Sequence, residues 1–282
     1  ASSLPEHAGR HYAVAGISAV GVFHPKITLQ VGRSTGRLIV ASANITASGL
    51  AGNLELAGTV TYEGHEDAAA QLISDAWAYL QSLLVSAGQA LNHQIQWMRT
   101  RTPWLRTLPA STEPVTLEDG TLMSFLAGGP LQTKSIGTRF VGLIRERPIE
   151  RLIVLSPYWD EDLGALKALA EALSPKEISI LIDAETALFP ANAAATFPQL
   201  RVLDLKSFGQ DRFIHAKAIL VETVQADHLL YGSANCTAAA LGTTSYIGAN
   251  HEACLYSRRP PKTVLSTLGL ENIVNEALAV PL

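Results

Sequence analysis

Two stretches of this sequence are built to one plan. The first runs His24-Pro25-Lys26, then Ser42-Ala43-Asn44, then Glu55. The second runs His215-Ala216-Lys217, then Ser233-Ala234-Asn235, then Glu252. His and Lys are two residues apart in both, and His and Asn are twenty apart in both. The local wording also matches: Ala41-Ser42-Ala43-Asn44-Ile45-Thr46-Ala47 against Gly232-Ser233-Ala234-Asn235-Cys236-Thr237-Ala238. Equal spacing at a separation of 191 residues points to a duplicated unit whose halves meet around one site.

The residue types suit phosphoryl chemistry. In a strand, side chains two apart share a face, so each unit projects His with Lys, and Ser with Asn. Lys and Asn donate to the non-bridging oxygens of a phosphodiester and bind harder as charge builds in the transition state. One histidine can attack phosphorus and form a covalent intermediate. A second can protonate the leaving oxygen and then deprotonate the incoming water. Glu55 and Glu252 can each hold an imidazole through its other nitrogen and set its tautomer. Lys beside each His disfavours a metal site, and no Cys or His pair has ligand spacing, so no metal and no cofactor is expected.

With these residues the chain resembles the phospholipase D superfamily, whose signature is His-x-Lys, a downstream Ser/Asn and an acid. The resemblance implies an α/β fold. Two phospholipase D-like lobes, mixed β-sheets flanked by helices, are related by a pseudo-twofold with one active site at their junction. It implies that His24 and His215 are nucleophile and acid/base, with His24 favoured as nucleophile. It makes Lys26, Lys217, Asn44 and Asn235 the phosphate clamp and Glu55 and Glu252 the orienting acids. Ser42 and Ser233 occupy the family's serine position and are expected at the phosphate. Two departures stand out. The Asp that many members carry five residues after Lys is replaced by Val31 and Glu222. Asn to Glu spans eleven residues in the first copy and seventeen in the second.

The order of elements supports α/β layers. Apolar runs predict strands at 22–31, 37–42 and 54–62, with a turn at 32–36. Helices are expected from Glu66 to about Ser86 and over Gln89–Arg101, stopping before Pro103. Residues 107–130 read as a connecting segment. The second half reads as strands at 152–155, 178–182, 200–205, 213–222 and 228–233, with helices at 162–173 and 262–278. This divides the chain into a first lobe at 1–130 and a second at 131–282. The first lobe is N-terminally short by roughly one βα unit. An upstream segment, a truncated half or a partner chain would account for that.

At 282 residues and 48% hydrophobic the chain can fill a large core. Its net charge of −4 excludes a broadly basic coat but permits a local basic cleft. Cys236 and Cys254 are too few for a disulfide framework and read as buried thiols of a cytoplasmic protein. No run has membrane-span length, nothing at the start reads as a signal peptide, and no stable membrane association is expected. Trp97, Arg99, Arg101, Trp104 and Arg106 form an aromatic–basic cluster. It reads as a helix end, or as a strip that touches nucleic acid. Arg145, Arg147 and Arg151 read as a solvated helix end. His7, His11, His65, His93 and His228 read as surface or loop histidines, and His251 is left outside the site.

The expected activity is a metal-independent phosphodiesterase acting on nucleic acid, with DNA favoured. The wording of the first copy resembles prokaryotic family members that act on DNA. That implies a possible helicase, ATPase or defence-system partner. A phospholipase or phosphatidyl transferase, and a catalytically silent nucleic-acid-binding module, are the alternatives.

Overall fold

A computed structural model describes residues 12–282 except 66, 85–87, 106–110, 112, 185–188, 198–199, 210–211, 277–278 and 281–282. The first half contributes β1 (Ile27–Val31), β2 (Gly36–Ala41) and β3 (Ala57–Tyr62), then α1 (Asp67–Leu83) and α2 (Gln89–Arg101). Next come β4 (Val115–Thr116), β5 (Leu122–Gly128), α3 (Ile136–Leu143), β6 (Ile149–Leu155), α4 (Gly164–Leu173) and β7 (Glu177–Ile182). The chain continues through α5 (Ala191–Ala194), β8 (Leu200–Asp204), α6 (Lys206–Gly209), β9 (Ala218–Thr223) and β10 (Asp227–Gly232). It closes with α7 (Ala238–Leu241), β11 (Glu252–Arg259), α8 (Val264–Thr267) and α9 (Glu271–Glu276). Glu66, expected to open the first helix, lies outside the described residues.

Two sheets result. One is three-stranded, in the order β1-β2-β3; the other is eight-stranded, in the order β4-β5-β11-β10-β9-β6-β7-β8. The large sheet is mixed: β6, β7 and β8 run parallel, and the rest pair antiparallel. Both of its faces are buried, so its strands read as continuous apolar runs. On β9 and β10, Leu220, Leu229 and Tyr231 enter one core with Leu38, Val60 and the apolar side of α1. Ile219, Val221 and Leu230 enter the other, under α3 and α4. The small sheet buries one face: Leu38, Val40, Val60 and Tyr62 are inside, while Arg37, Ala57 and Thr59 are exposed. Helix α1 turns Ala69, Leu72, Ile73, Ala76 and Tyr79 inward at helical spacing and packs against both sheets.

Several expectations are corrected. The mixed sheet is the eight-stranded one, and the three-stranded sheet is antiparallel throughout. Residues 115–128 are not a connector, because β4 and β5 extend the eight-stranded sheet through β11. The signal for that hairpin was Asp119-Gly120 ahead of an apolar run, and Gly120 adopts φ +79°. The strand expected from residue 22 begins only at Ile27. Residues 22–24 instead hydrogen-bond the main chain of His251, across from the other half. The strand expected from Phe213 begins at Ala218 for the same reason, since residues 213–216 bond the main chain of Leu54. The closing helix is two short ones separated at Gly269, where φ is +70°.

In the second half, β6, α4, β7 and β8 precede the strand that follows His-x-Lys. Residues 12–26 carry no equivalent. Arg151 is no helix end: it lies on β6 and pairs with Glu222, which settles the one acid found five residues after a motif Lys into a structural role. His228 is no surface histidine. It is fully buried on β10, with Nδ1 2.9 Å from Tyr256 Oη and Nε2 3.2 Å from a Glu146 carboxylate oxygen. His65 and His93 are exposed; His7 and His11 lie outside the described residues.

The sheets meet where a side chain is missing. A Cβ at Gly58 on β3 would lie 2.3 Å from Tyr231 Oη on β10. Gly58→Val therefore tests the stacking, because valine favours strands and only the clash can destabilise. A loss of about 1–3 kcal/mol in urea-induced unfolding is expected, as for other overpacked cores.

Candidate active site

The two motif sets come together where the small sheet lies on the large one, and their hydrogen bonds match almost one for one. Lys26 Nζ donates to His24 O at 2.8 Å, and Lys217 Nζ donates to His215 O at 2.7 Å. Ser42 N donates to Leu56 O and Ser233 N to Ala253 O, both at 2.9 Å. Each serine Oγ accepts a main-chain N–H at 2.9 Å, from Leu56 and Ala253 respectively. Each Oγ then donates to the acid of its own half, Ser42 to Glu55 and Ser233 to Glu252. Asn44 O accepts from Thr46 N at 2.9 Å, and Asn235 O from Thr237 N at 2.8 Å. Thr46 and Thr237 then each accept a main-chain N–H with Oγ1, from Gly49 and Ala240.

The acids reach across. Glu55 holds His215: His215 Nδ1 lies 2.8 and 3.1 Å from its two oxygens. Glu252 holds His24, with Nδ1 3.0 Å from Oε2. Short parallel bridges set both pairs. Leu54, just before Glu55, pairs with Ile214, just before His215; His251, just before Glu252, pairs with Phe23, just before His24. His215 N donates to Leu54 O at 2.9 Å and His24 N to His251 O at 3.0 Å. An imidazole donating from Nδ1 keeps its Nε2 lone pair available. In His215 that nitrogen accepts from Lys217 Nζ at 3.1 Å. The side chain of His24 is 22% exposed and that of His215 11%.

Electrostatics tie the halves into one site. Burial pushes the Lys217 ammonium down to about 7; Glu55 opposes this, Lys26 adds to it, and Glu252 opposes it. Burial likewise lowers Lys26 to about 8 against the pull of Glu252 and Glu55. Burial alone would raise the Glu55 carboxyl. Hydrogen bonds from His215, Ser42 and Asn53 outweigh it and hold the group below its ordinary value.

The serines are corrected. Ser42 and Ser233 are fully buried, and their hydroxyls are committed to carboxylates and main chain rather than to an open phosphate position. Asn44 is exposed, while Asn235 is half-buried and its Oδ1 is enclosed without a hydrogen-bond partner. Two residues were missed. Asn53 Nδ2 donates to Glu55 Oε1 at 3.2 Å, and Asn250 Nδ2 to Glu252 Oε1 at 3.4 Å. A repeated Asn-x-Glu was in the sequence to find them: Asn53-Leu54-Glu55 and Asn250-His251-Glu252. Asn250 Oδ1 also accepts from Val22 N at 3.0 Å, tying the His24 segment to Glu252.

The aromatic–basic cluster divides. Trp97 is 61% exposed with the Arg101 guanidinium 4.5 Å from its ring, and Arg99 is exposed beside it. Trp104 is an anchor and not an exposed stacking platform: Nε1 donates to Gly32 O at 3.0 Å and the ring lies 4.5 Å from Tyr62. Arg106 lies outside the described residues. Among the described residues no group of three His, Cys, Asp or Glu side chains is placed to hold a metal.

The fold has relatives of known structure. The yeast tyrosyl-DNA phosphodiesterase aligns at a TM-score of 0.50 and 12% identity, over 82% of this chain and 67% of that one. The phosphatidylserine synthase of Haemophilus influenzae Rd KW20 aligns at 0.48 and 13%, over 89% and 62%. NucT from Helicobacter pylori aligns at 0.37 and 14%, over 57% and 99%. No family model and no curated protein sequence matches. The chain therefore shares the fold of the yeast tyrosyl-DNA phosphodiesterase, about two thirds of whose length it spans.

Burial lowers the pKa of both Lys26 and Lys217, so anion binding at this point is expected to depend on pH. The charged forms would bind, so affinity should be full only well below pH 7 and fall as pH rises through about 7 and about 8. Sulfate, whose charge is constant over this range, is expected to bind at least tenfold more weakly at pH 9 than at pH 6. Calorimetric titration checks this, and Lys217→Met should flatten the profile.

Proposed function

We propose that this protein is a metal-independent phosphodiesterase that acts on nucleic acid, DNA first, through a phosphohistidine. The observation that carries the reading is the reciprocal exchange of acids. Each motif histidine is oriented by the carboxylate of the other half, so both imidazoles are prepared at a single place. A structural His–Glu pair has no need of a duplicate, nor of a lysine two residues from each histidine, one half-buried and one buried.

The chemistry follows from the free nitrogens. His24 Nε2 attacks phosphorus, and the bond from phosphorus to the leaving oxygen breaks. His215 enters the step as imidazolium, with Lys217 Nζ moved from its Nε2 to a non-bridging oxygen, and its Nε2–H supplies the proton that the leaving oxygen takes. Water then gives a proton to His215 and attacks phosphorus, and the P–N bond breaks to free His24. The sum is phosphodiester plus water to phosphomonoester plus alcohol. Lys26, Lys217, Asn44 and Asn235 bind the non-bridging oxygens, whose negative charge also favours the protonated lysines. His24 suits the nucleophile because it is the more exposed ring.

His24→Ala and His215→Ala should each lower turnover of plasmid or single-stranded DNA by on the order of a thousandfold or more. Chelator should leave the rate unchanged. RNA and phospholipid vesicles are the comparison substrates, and cleavage of vesicles alone would move the assignment to a lipid enzyme.

The exchanged acids give a sharper test. A p-nitrophenyl phosphodiester releases a good leaving group that needs little protonation. In rapid-quench experiments its burst of p-nitrophenolate should survive in His215→Ala and in Glu55→Gln. It should vanish in His24→Ala and weaken in Glu252→Gln. A burst that follows the acid of the same half would refute the pairing.

A further inference from the structure

The site is symmetric at its centre and lopsided at its rim, and the difference lies around His215. The second half has β6, and the loop leaving β6 places Tyr158 against the His215 ring. The centroids are 6.4 Å apart and the planes 77° apart, edge to face. Tyr158 is 46% exposed. Its position is fixed from both ends. Ser156 Oγ donates to Tyr158 O at 2.8 Å and accepts from Cys236 N at 3.0 Å, next to Asn235. Trp159 bridges to Cys236, and both Asp160 oxygens accept from Ala238 N. Residues 12–26 form no strand–loop of this kind, and among the described residues no tyrosine is found against the His24 ring.

A second difference lies three residues before each histidine. Arg212 stands before His215. Its guanidinium donates to the opposite half, Nη2 to Asn53 O at 2.6 Å and Nε to Gly52 O at 3.3 Å. It is exposed, and among the described residues no carboxylate pairs with it. The matching position before His24 is Gly21, where any Cβ would sit 2.6 Å from Ala249 O. Among the described residues, His215 is therefore flanked by a fixed aromatic face and a fixed cation, and no equivalent pair is found beside His24.

We propose that Tyr158 and Arg212 form a nucleotide subsite on the His215 side, where Tyr158 stacks the base next to the scissile phosphate and Arg212 holds the following phosphate. The inference rests on the nucleic-acid reading above and deepens it. A base offers a π-face to stack on whatever its identity, and an arginine anchored by carbonyls keeps donors for a phosphate. A chain of net charge −4 must gain nucleic-acid affinity from such local contacts. With His24 as nucleophile, this nucleotide is the leaving group. A base paired in a duplex cannot lie on Tyr158, so the subsite selects single strands or frayed ends.

The test uses a short single-stranded oligonucleotide, and the same oligonucleotide abasic on the leaving side of the scissile phosphate. Tyr158→Ala should raise KM for the intact strand about tenfold, the size of one lost base stack, and Tyr158→Phe should not. The abasic substrate should raise KM for the unaltered protein by a similar factor, and Tyr158→Ala should add nothing further. Arg212→Gln should lower the salt slope of kcat/KM by about 0.7, one phosphate contact on a single strand. An unchanged KM in Tyr158→Ala, or equal losses on intact and abasic strands, would overturn the subsite and leave the phosphodiesterase standing. Cleavage of a small diester but of no oligonucleotide would overturn the subsite together with the nucleic-acid assignment. No cleavage of either would overturn the proposed function itself.

Discussion

Each half of this molecule supplies a histidine and takes its orienting carboxylate from the other. Glu55 closes on His215 and Glu252 on His24, and the parallel bridges beside them cross the same boundary. The pairs are costly to isolate. Glu252 is fully buried, and a buried carboxylate without partners would lose much of its solvation. Here each acid also accepts from a serine and an asparagine of its own half. The serine and asparagine prepare the acid locally, and only docking of the halves completes it. Site formation and lobe packing are thus one event, which explains why Gly58 must leave room for Tyr231.

Equal centres sit in unequal frames. The second half extends β9 to β11 into an eight-stranded sheet whose two faces are both covered. The described residues ahead of α1 make a three-stranded sheet with one covered face. The result is chemical as well as architectural. Lys217 is more deeply buried than Lys26, and its ammonium is pushed lower, to about 7 against about 8. Burial disfavours the charged form, so a duplicated residue pair acquires two different acidities from its surroundings. Histidines of identical type can then take different parts in one reaction.

Some of this was legible in the chain because it depends on local spacing. The repeat of His-x-Lys and Ser-x-Asn marks both halves, and periodicity marks β2, β7, β8, α1 and α4. What could not be read is what depends on distant partners. The apolar run at 122–128 became a strand because β11 offered it an edge. Phe23 and Phe213 left their expected strands because main-chain groups across the lobe boundary bonded their neighbours instead. Ser42 and Ser233 looked like phosphate ligands, yet burial beside the acids made them carboxylate donors. Trp104 looked like a nucleic-acid contact until Tyr62 and Gly32 claimed it.

The linear sequence determined which groups were present, in duplicate and at matched spacing, because backbone periodicity converts spacing into a shared face. Tertiary structure decided which acid serves which histidine, how far each lysine is dehydrated, and that Tyr158 lies against the His215 ring. Those outcomes depend on distances between residues about 160 and 228 positions apart. No local rule of the chain encodes such distances; the packing of one sheet upon another does.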